Sequence, residues 1–310
     1  MKLLSGPSRD WSRPASGTAV TVGVFDGVHR GHQALIDRLH AEAGSRQTAV
    51  VTFDQHPASV VAPGAGPGLL TPPEHRLQLL DDLGIDIVAH LEFNAETSRL
   101  LPESFVAEVL VGALNAQVIV AGTDFRFGMR GVGDVTLLRR LEAELDFATH
   151  LVDPLMDGDA VSSTRIRERI ASGDLETAAR LLGRHFSIRG RVVEGEGRGR
   201  SIGVPTANIE HHSDQVLPLQ GVYAVVARFN AVEQPGVANV GVRPTFGETR
   251  MIVEVHLIDF DGDLYDVDID LEFRHRIRSE RKFDGVEQLV AQIQSDIAEG
   301  AALLGVERAG

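Results

Sequence analysis

Val20-Thr21-Val22-Gly23-Val24-Phe25-Asp26-Gly27-Val28-His29-Arg30-Gly31-His32 begins as an apolar run, turns on glycine and ends on two histidines. Val20 to Phe25 predicts a buried strand, and Leu35, Ile36, Leu39 and Ala43 behind it share one face of a helix. Similar short apolar runs recur at Ala49–Phe53, Ile85–Leu91 and Val118–Ala121, with one more strand expected at His150–Val152. Helices are expected between them at Pro73–Leu83, Pro102–Leu110 and Val135–Leu145. Strands alternating with helices imply a doubly wound parallel sheet, an α/β fold covered on both faces. Two short helices close this half, one starting near Ser162-Ser163-Thr164 and one capped by Asp174 and stopped by Gly183.

After about residue 186 the texture changes. Ile188–Val193, Val222–Phe229, Gly236–Val242, Met251–Ile258 and Leu264–Phe273 read as strands with no helix between them. Asp261-Gly262 gives a hairpin signal between the last two. A helix returns only at the end, with Val286, Leu289, Val290, Ile293 and Ile297 on one stripe and Asp284 and Glu287 at capping-box spacing. The expectation is an all-β second domain, an antiparallel Greek-key-like barrel closed by one C-terminal helix. The boundary falls near 184–187, which gives domains 1–185 and 186–310.

Composition narrows the function classes. A chain of 310 residues suits two domains. It has no cysteine, which removes disulfides, thiolate nucleophiles and cysteine zinc sites. The net charge of −14 lacks the basic footprint of a nucleic-acid binder. No run approaches the roughly 18 to 20 apolar residues of a membrane helix, and Met1–Pro7 does not resemble a signal peptide. A soluble, cytoplasmic protein, monomeric or weakly self-associating, is expected.

The turn after the first strand sits where a doubly wound sheet binds ligands. A helix N-terminus there offers free N–H groups and positive potential to phosphate. His29 and His32, three apart, lie on one side of the first turn, and Gly31 between them removes a side chain where a phosphate comes close. Transfer of a nucleotidyl group builds charge on the α-phosphate and on departing pyrophosphate, so fixed imidazole donors suit it. A bare H-x-G-H also fits capping or surface histidines. Ser162-Ser163-Thr164-Arg165-Ile166-Arg167 supplies hydroxyls and arginines to a helix start, as a triphosphate clamp requires. Alone, that segment also reads as an ordinary N-cap.

The second half carries Gly195-Glu196-Gly197-Arg198-Gly199-Arg200-Ser201-Ile202-Gly203-Val204-Pro205-Thr206-Ala207-Asn208. It is neither a P-loop nor a dinucleotide fingerprint. Its glycines can fold over phosphates, and Thr206 and Asn208 fall on one face if the segment is a strand. A hydroxyl and an amide oxygen are hard ligands suited to Mg²⁺ brought by nucleotide phosphates. Asp259, Asp261 and Asp263 do not form a calcium loop, because Gly262 stands too early.

Together these stretches, with Thr52-Phe53-Asp54-Gln55-His56-Pro57 and Gly122-Thr123-Asp124-Phe125-Arg126-Phe127-Gly128, resemble the bacterial bifunctional riboflavin kinase/FAD synthetase family. The resemblance implies an N-terminal nucleotidyltransferase of the HxGH superfamily and a C-terminal riboflavin kinase barrel. It implies ATP-dependent phosphorylation of riboflavin to FMN, then adenylylation of FMN to FAD, with Mg²⁺. By the same resemblance His29, His32 and Glu254 are the expected catalytic residues. Gly23, Phe25, Gly31, Asp124, Ser163, Thr164, Arg167, Gly197, Gly203, Thr206 and Asn208 are expected around ATP and its phosphates. Phe53, His56, Asn239, Arg243 and Phe246 are expected around flavin, and Thr206 and Asn208 at the metal. Rival readings are a different adenylyltransferase, which has no use for the barrel, and a flavin-responsive binding protein.

Overall fold

Alternate residues of the central strands are apolar on both faces, as a sheet covered by helices on both sides requires. In the computed structural model, which describes residues 1–53, 66–195, 199, 202–244 and 249–306, these strands lie in parallel. His56, Gly197 and Phe246 lie outside the described residues. The strands are β1 (Lys2–Gly6), β2 (Thr18–Val22), β3 (Gln47–Phe53), β4 (Ile87–Leu91), β5 (Ala116–Gly122) and β6 (Ala148–Val152), in the order β1-β4-β3-β2-β5-β6. Val20, Val22, Ala49 and Val51 face one core with helix α3, which runs from Pro102–Ser104 into a π-helical Phe105–Ala113, and α4 (Val135–Leu145). Ala19, Val50 and Val88 face the other, against α1 (Arg30–Ala43) and α2 (Pro73–Asp82).

The expected helices and inner strands are all present. β1 is not foreseen: it pairs with β4 at the sheet edge and buries only Leu4, so its sequence carries almost no strand signal. The hairpin of β7 (Met156–Asp157) and β8 (Asp159–Ala160) then leads to α5 (Ser163–Ser172) and α6 (Leu175–Leu182). Asp174 caps α6 by accepting from Thr177 N at 3.1 Å, and Gly183 ends it at φ 78°.

Two compact units result, Met1–Ser163 and Thr164–Gly310. The change of sequence texture near 186 marks where helix gives way to strand. The tertiary division comes earlier because α5 and α6 pack on the barrel: Leu219 N donates to Ile170 O at 3.3 Å, and Gly173 lies against Leu219 and Arg276.

The second unit is a closed antiparallel barrel, β10 (Ala207–His211), β13 (Thr249–Leu257), β12 (Val232–Pro244), β11 (Gly221–Phe229), β14 (Asp268–Arg278) and β9 (Ser187–Val193), each paired to the next and the last to the first. The Asp261-Gly262 hairpin is overturned. β13 pairs with β10 and β12, and β14 with β11 and β9, so the segment crosses between strands that are not neighbours. Gly190 is required where β9 meets β10, since a Cβ there would stand 2.4 Å from Glu210 O.

Helix α7 (Val286–Leu303) covers Val222 and Val237 with Ile297 and Ala301. Its N-cap is Gly285 without a side-chain bond, so the expected capping box from Asp284 does not form. A bidentate pair ties it to the barrel instead: Arg278 Nε and Nη2 donate to Asp296 Oδ1 and Oδ2 at 2.8 and 2.7 Å. Among the described residues no helix is long and apolar enough to cross a membrane.

Asp296 is buried, so removing it strands the Arg278 charge. Asp296→Ala should cost about 3 kcal/mol in urea unfolding of the second unit, with Asp296→Asn in between. His185 is pushed below its ordinary value first by burial, then by the Arg274 charge. As pH falls below about 6.5 the unfolded chain takes up a proton that the folded chain resists. Stability of this unit should therefore decline on the acid side, and His185→Gln should flatten that part of a pH–unfolding curve.

Candidate active sites

In the first unit the order of strands reverses between β2 and β5, since the chain runs outward from β2 through β3 and then returns to β5 on the other side. Ligands of doubly wound sheets bind at the carboxyl ends beside such a reversal. The β2–α1 turn occupies that place. His29 is the N-cap of α1, and its Nδ1 accepts from His32 N at 3.3 Å. An Nδ1 used as acceptor puts the proton of the neutral ring on Nε2, leaving a donor there. The two imidazoles stack with centroids 3.6 Å apart, and the Phe25 ring lies 4.9 Å from that of His32.

Glycine shapes this stack. A Cβ on Gly31 would stand 3.1 Å from His29 Cε1 and 3.4 Å from Val161 O, so the ring occupies space that only glycine leaves. A Cβ on Gly23 would stand 3.1 Å from the Phe25 ring. Phe25 is wholly buried, belongs to the core under α1, and supports His32 from below.

The turn is strained. Phe25 and Val28 take φ of 53° and 39°, a region that side-chain-bearing residues, and β-branched ones above all, seldom enter. Asp26 between them is 1% exposed. Its carboxylate accepts from Leu70 N at 2.9 and 3.0 Å and from Thr71 N at 2.9 Å. Thr71 Oγ1 accepts in return from Gly27 N at 2.9 Å. Ser163 Oγ donates to Asp26 O at 2.9 Å, which brings that expected residue to the histidine turn. Arg76, also buried, donates to Val24 O at 2.9 Å and Phe53 O at 2.8 Å, joining the ends of the β2 and β3 segments.

Asp124 follows β5 and is exposed on the other side of the strand reversal. Phe53 ends β3 and meets Phe93 edge to face at 5.4 Å. Thr164 and Arg167 lie in the first turns of α5, exposed and half-buried respectively. Sequence reading missed Phe93, Thr71 and Arg76, which stand outside the motifs and reach the site only through the fold.

In the barrel, register does the assembling. Glu254 on β13 stands directly opposite Asn208 on β10 and Asn239 on β12. Directly paired residues share a sheet face, so the three form one polar row across adjacent strands. Their neighbours Val253, Val255, Ala238, Val240 and Ile209 point into the core, so the row faces out of the barrel wall. Asn239 Nδ2 donates to Glu280 Oε1 at 3.5 Å, and a Cβ on Gly241 would stand 2.3 Å from the same oxygen. Glu280 lies in a polar segment with no motif, and sequence reading did not find it.

Gly195 and Gly199 lie close against Asn208 and Thr206. A Cβ on Gly195 would collide with Asn208 Nδ2 at 2.0 Å, and one on Gly199 would stand 3.0 Å from Thr206 Oγ1. Gly203 is exposed at φ 79°. Thr206 borders a cavity of about 400 Å³ with apolar walls from Val192, Val255 and Leu257 and with Phe260 and Tyr265 at its rim. Arg243 lies on β12 opposite Arg250.

The comparisons divide the chain in the same manner. An FAD synthetase family model matches residues 12–165, and a riboflavin kinase model matches 182–304. The chain is 37% identical to a bifunctional riboflavin kinase/FMN adenylyltransferase of Escherichia coli K12 over 99% of both chains. A protein of the same name from Bacillus subtilis is 38% identical over 91% of both. A crystal structure of a Streptococcus pneumoniae protein described as a macrolide-efflux protein has TM-score 0.84 and 33% identity, covering 93% of this chain and 95% of that one. With both halves matched in order and nearly end to end, the chain belongs to the bifunctional riboflavin kinase/FMN adenylyltransferase family.

Proposed function

We propose that this chain phosphorylates riboflavin to FMN in its barrel and adenylylates FMN to FAD at its parallel sheet, using ATP in both steps. The observation that carries the reading is the row Asn208–Glu254–Asn239 beside Thr206, which a plain adenylyltransferase has no use for. By function, residues 1–185 serve adenylyl transfer and 186–310 the kinase.

At the sheet, a phosphate oxygen of FMN attacks the α-phosphorus of ATP and pyrophosphate leaves. His29 and His32 donate to the oxygens that gain charge. Ser163, Thr164 and Arg167 hold the β- and γ-phosphates, with Gly23, Phe25, Gly31 and Asp124 around the nucleotide. Phe53 and His56 serve the flavin. In the barrel, Glu254 accepts the proton of the ribityl 5′-hydroxyl as that oxygen attacks the γ-phosphorus and ADP leaves. Asn239, Arg243 and Phe246 serve the flavin there, and Gly197 and Gly203 let the loop close on phosphates. The cavity next to Thr206 is large enough for the adenosine end of ATP.

Mg²⁺ fits this arrangement. Among the described residues no cluster of three histidine or carboxylate side chains could hold a metal ion. A cation would therefore arrive on the nucleotide phosphates and take Thr206 and Asn208 as additional oxygen ligands, which suits an ion that keeps most of its coordination for phosphate and water. Its contribution is to neutralise charge on the transferring phosphoryl group. Substrates are thus riboflavin, FMN and ATP. A cytoplasmic location, a monomer or weak homo-oligomer, and no nucleic-acid partner fit the acidic chain.

The reading is tested by incubating the purified chain with riboflavin and Mg–ATP and separating flavins by chromatography; unchanged riboflavin defeats it. The double variant His29→Ala, His32→Ala should lose FAD formation by about a thousandfold or more and keep FMN formation. Conversely, Glu254→Gln should slow riboflavin phosphorylation by roughly a hundred to ten thousandfold, while FMN supplied directly is still converted to FAD.

A further inference from the structure

Asp26 has no place at the reacting atoms in the mechanism above, yet it is the most constrained residue of the histidine turn. It lies between two side-chain-bearing residues held at positive φ, and it is buried. Such strain persists only where the surroundings over-determine the backbone, and it gathers where a fixed geometry has a use. Here the surroundings can be named. The Asp26 carboxylate takes the amides of Leu70 and Thr71, the Thr71 hydroxyl takes the amide of Gly27, and Ser163 holds Asp26 O. The side chain of Asp26 and the backbone next to it are thus gripped by the same two-residue segment. Immediately after this grip comes His29, whose cap bond and ring stack set the direction of both imidazoles.

We infer that Asp26 and Thr71 are positioning residues for adenylyl transfer: their reciprocal bonds hold the strained turn so that the His29–His32 stack is already placed for the transition state. The inference rests on the reading that the first unit transfers adenylyl groups. Without the grip, Phe25 and Val28 can relax toward ordinary φ, and the turn that carries His29 shifts with them. Donors aimed at developing charge lose their effect when misplaced by about 1 Å, at a cost of up to roughly a hundredfold in rate. ATP binding draws on several other groups, so its KM should change little.

The chemistry of the bonds selects the variants. Asp26→Asn keeps one acceptor oxygen but turns the other position into an amide donor facing Leu70 N, which sits 3.0 Å from Oδ2. Thr71→Val keeps the shape and loses the acceptor for Gly27 N, whereas Thr71→Ser keeps the hydroxyl. In the full-length chain, with FMN and Mg–ATP, Asp26→Asn and Thr71→Val should lower kcat for FAD formation by roughly ten to a hundredfold. KM for ATP should stay within about threefold, and Thr71→Ser should restore most of kcat. Riboflavin phosphorylation in the same preparations reports on intact protein. The inference is overturned if both variants keep wild-type kcat, if the loss appears only in KM, or if Thr71→Ser is as slow as Thr71→Val. Should Asp26→Asn fail to fold, the Thr71 pair decides alone. A wild-type chain that makes no FAD removes the functional reading itself, an outcome distinct from active wild type with unaffected variants.

Discussion

A buried carboxylate facing backbone amides is the constraint from which the first site is built. Two side-chain-bearing residues at positive φ cost about 1–3 kcal/mol each. Hydrogen bonds to a charged acceptor contribute about 1.5–3 kcal/mol each, and Asp26 receives two from backbone amides. The terms are of the same size, so the turn holds its shape because the 70–71 segment is present, not because its own sequence favours that shape. Arg76 adds to the frame by joining Val24 O and Phe53 O. Sheet order then decides what the frame is for: it stands at the reversal between β2 and β5, where doubly wound sheets bind their ligands.

The barrel reaches its site by another route. Antiparallel pairing fixes which residues stand opposite one another, and a shift of one residue would turn Glu254 into the core and expose Val253 or Val255. Burial of the valines therefore sets the register, and register brings Asn208 and Asn239 to either side of Glu254. Closure matters too. β9 and β14 pair, leaving no free edge, and Gly190 allows the close crossing with β10 that closure demands.

These two routes explain what could be read from the chain. The inner strands of the sheet were legible because burial on both faces makes them continuously apolar. β1 was not, since only Leu4 of Lys2–Gly6 is buried. The histidine turn could be read because its parts are adjacent in sequence, and the same holds for Thr206 and Asn208. Glu254 was legible only through family resemblance, because alternation in one strand says nothing of its partner across the sheet. Thr71, Arg76 and Glu280 act across 44, 52 and 41 residues of chain from the groups they hold, with no motif of their own. The Asp261-Gly262 signal failed for a related reason: turn chemistry predicts a local reversal, but closing a six-stranded barrel required a crossing between strands three places apart.

Charge makes a last distinction. A net charge of −14 disfavours a polyanion that must contact a wide surface. It does not weigh against ATP. At physiological salt, fields fade over about 8 Å, so a triphosphate responds to groups within a few ångströms and hardly to the rest of the surface. At the sheet, the α1 N-terminus and the two stacked imidazoles stand within that range of one another. In the barrel the polar row is a carboxylate between two amides, Glu254 flanked by Asn208 and Asn239. The two sites therefore differ in chemical character, imidazoles beside a helix N-terminus in the sheet and a carboxylate flanked by amides in the barrel, and in each the fold rather than the net charge decides which groups stand together.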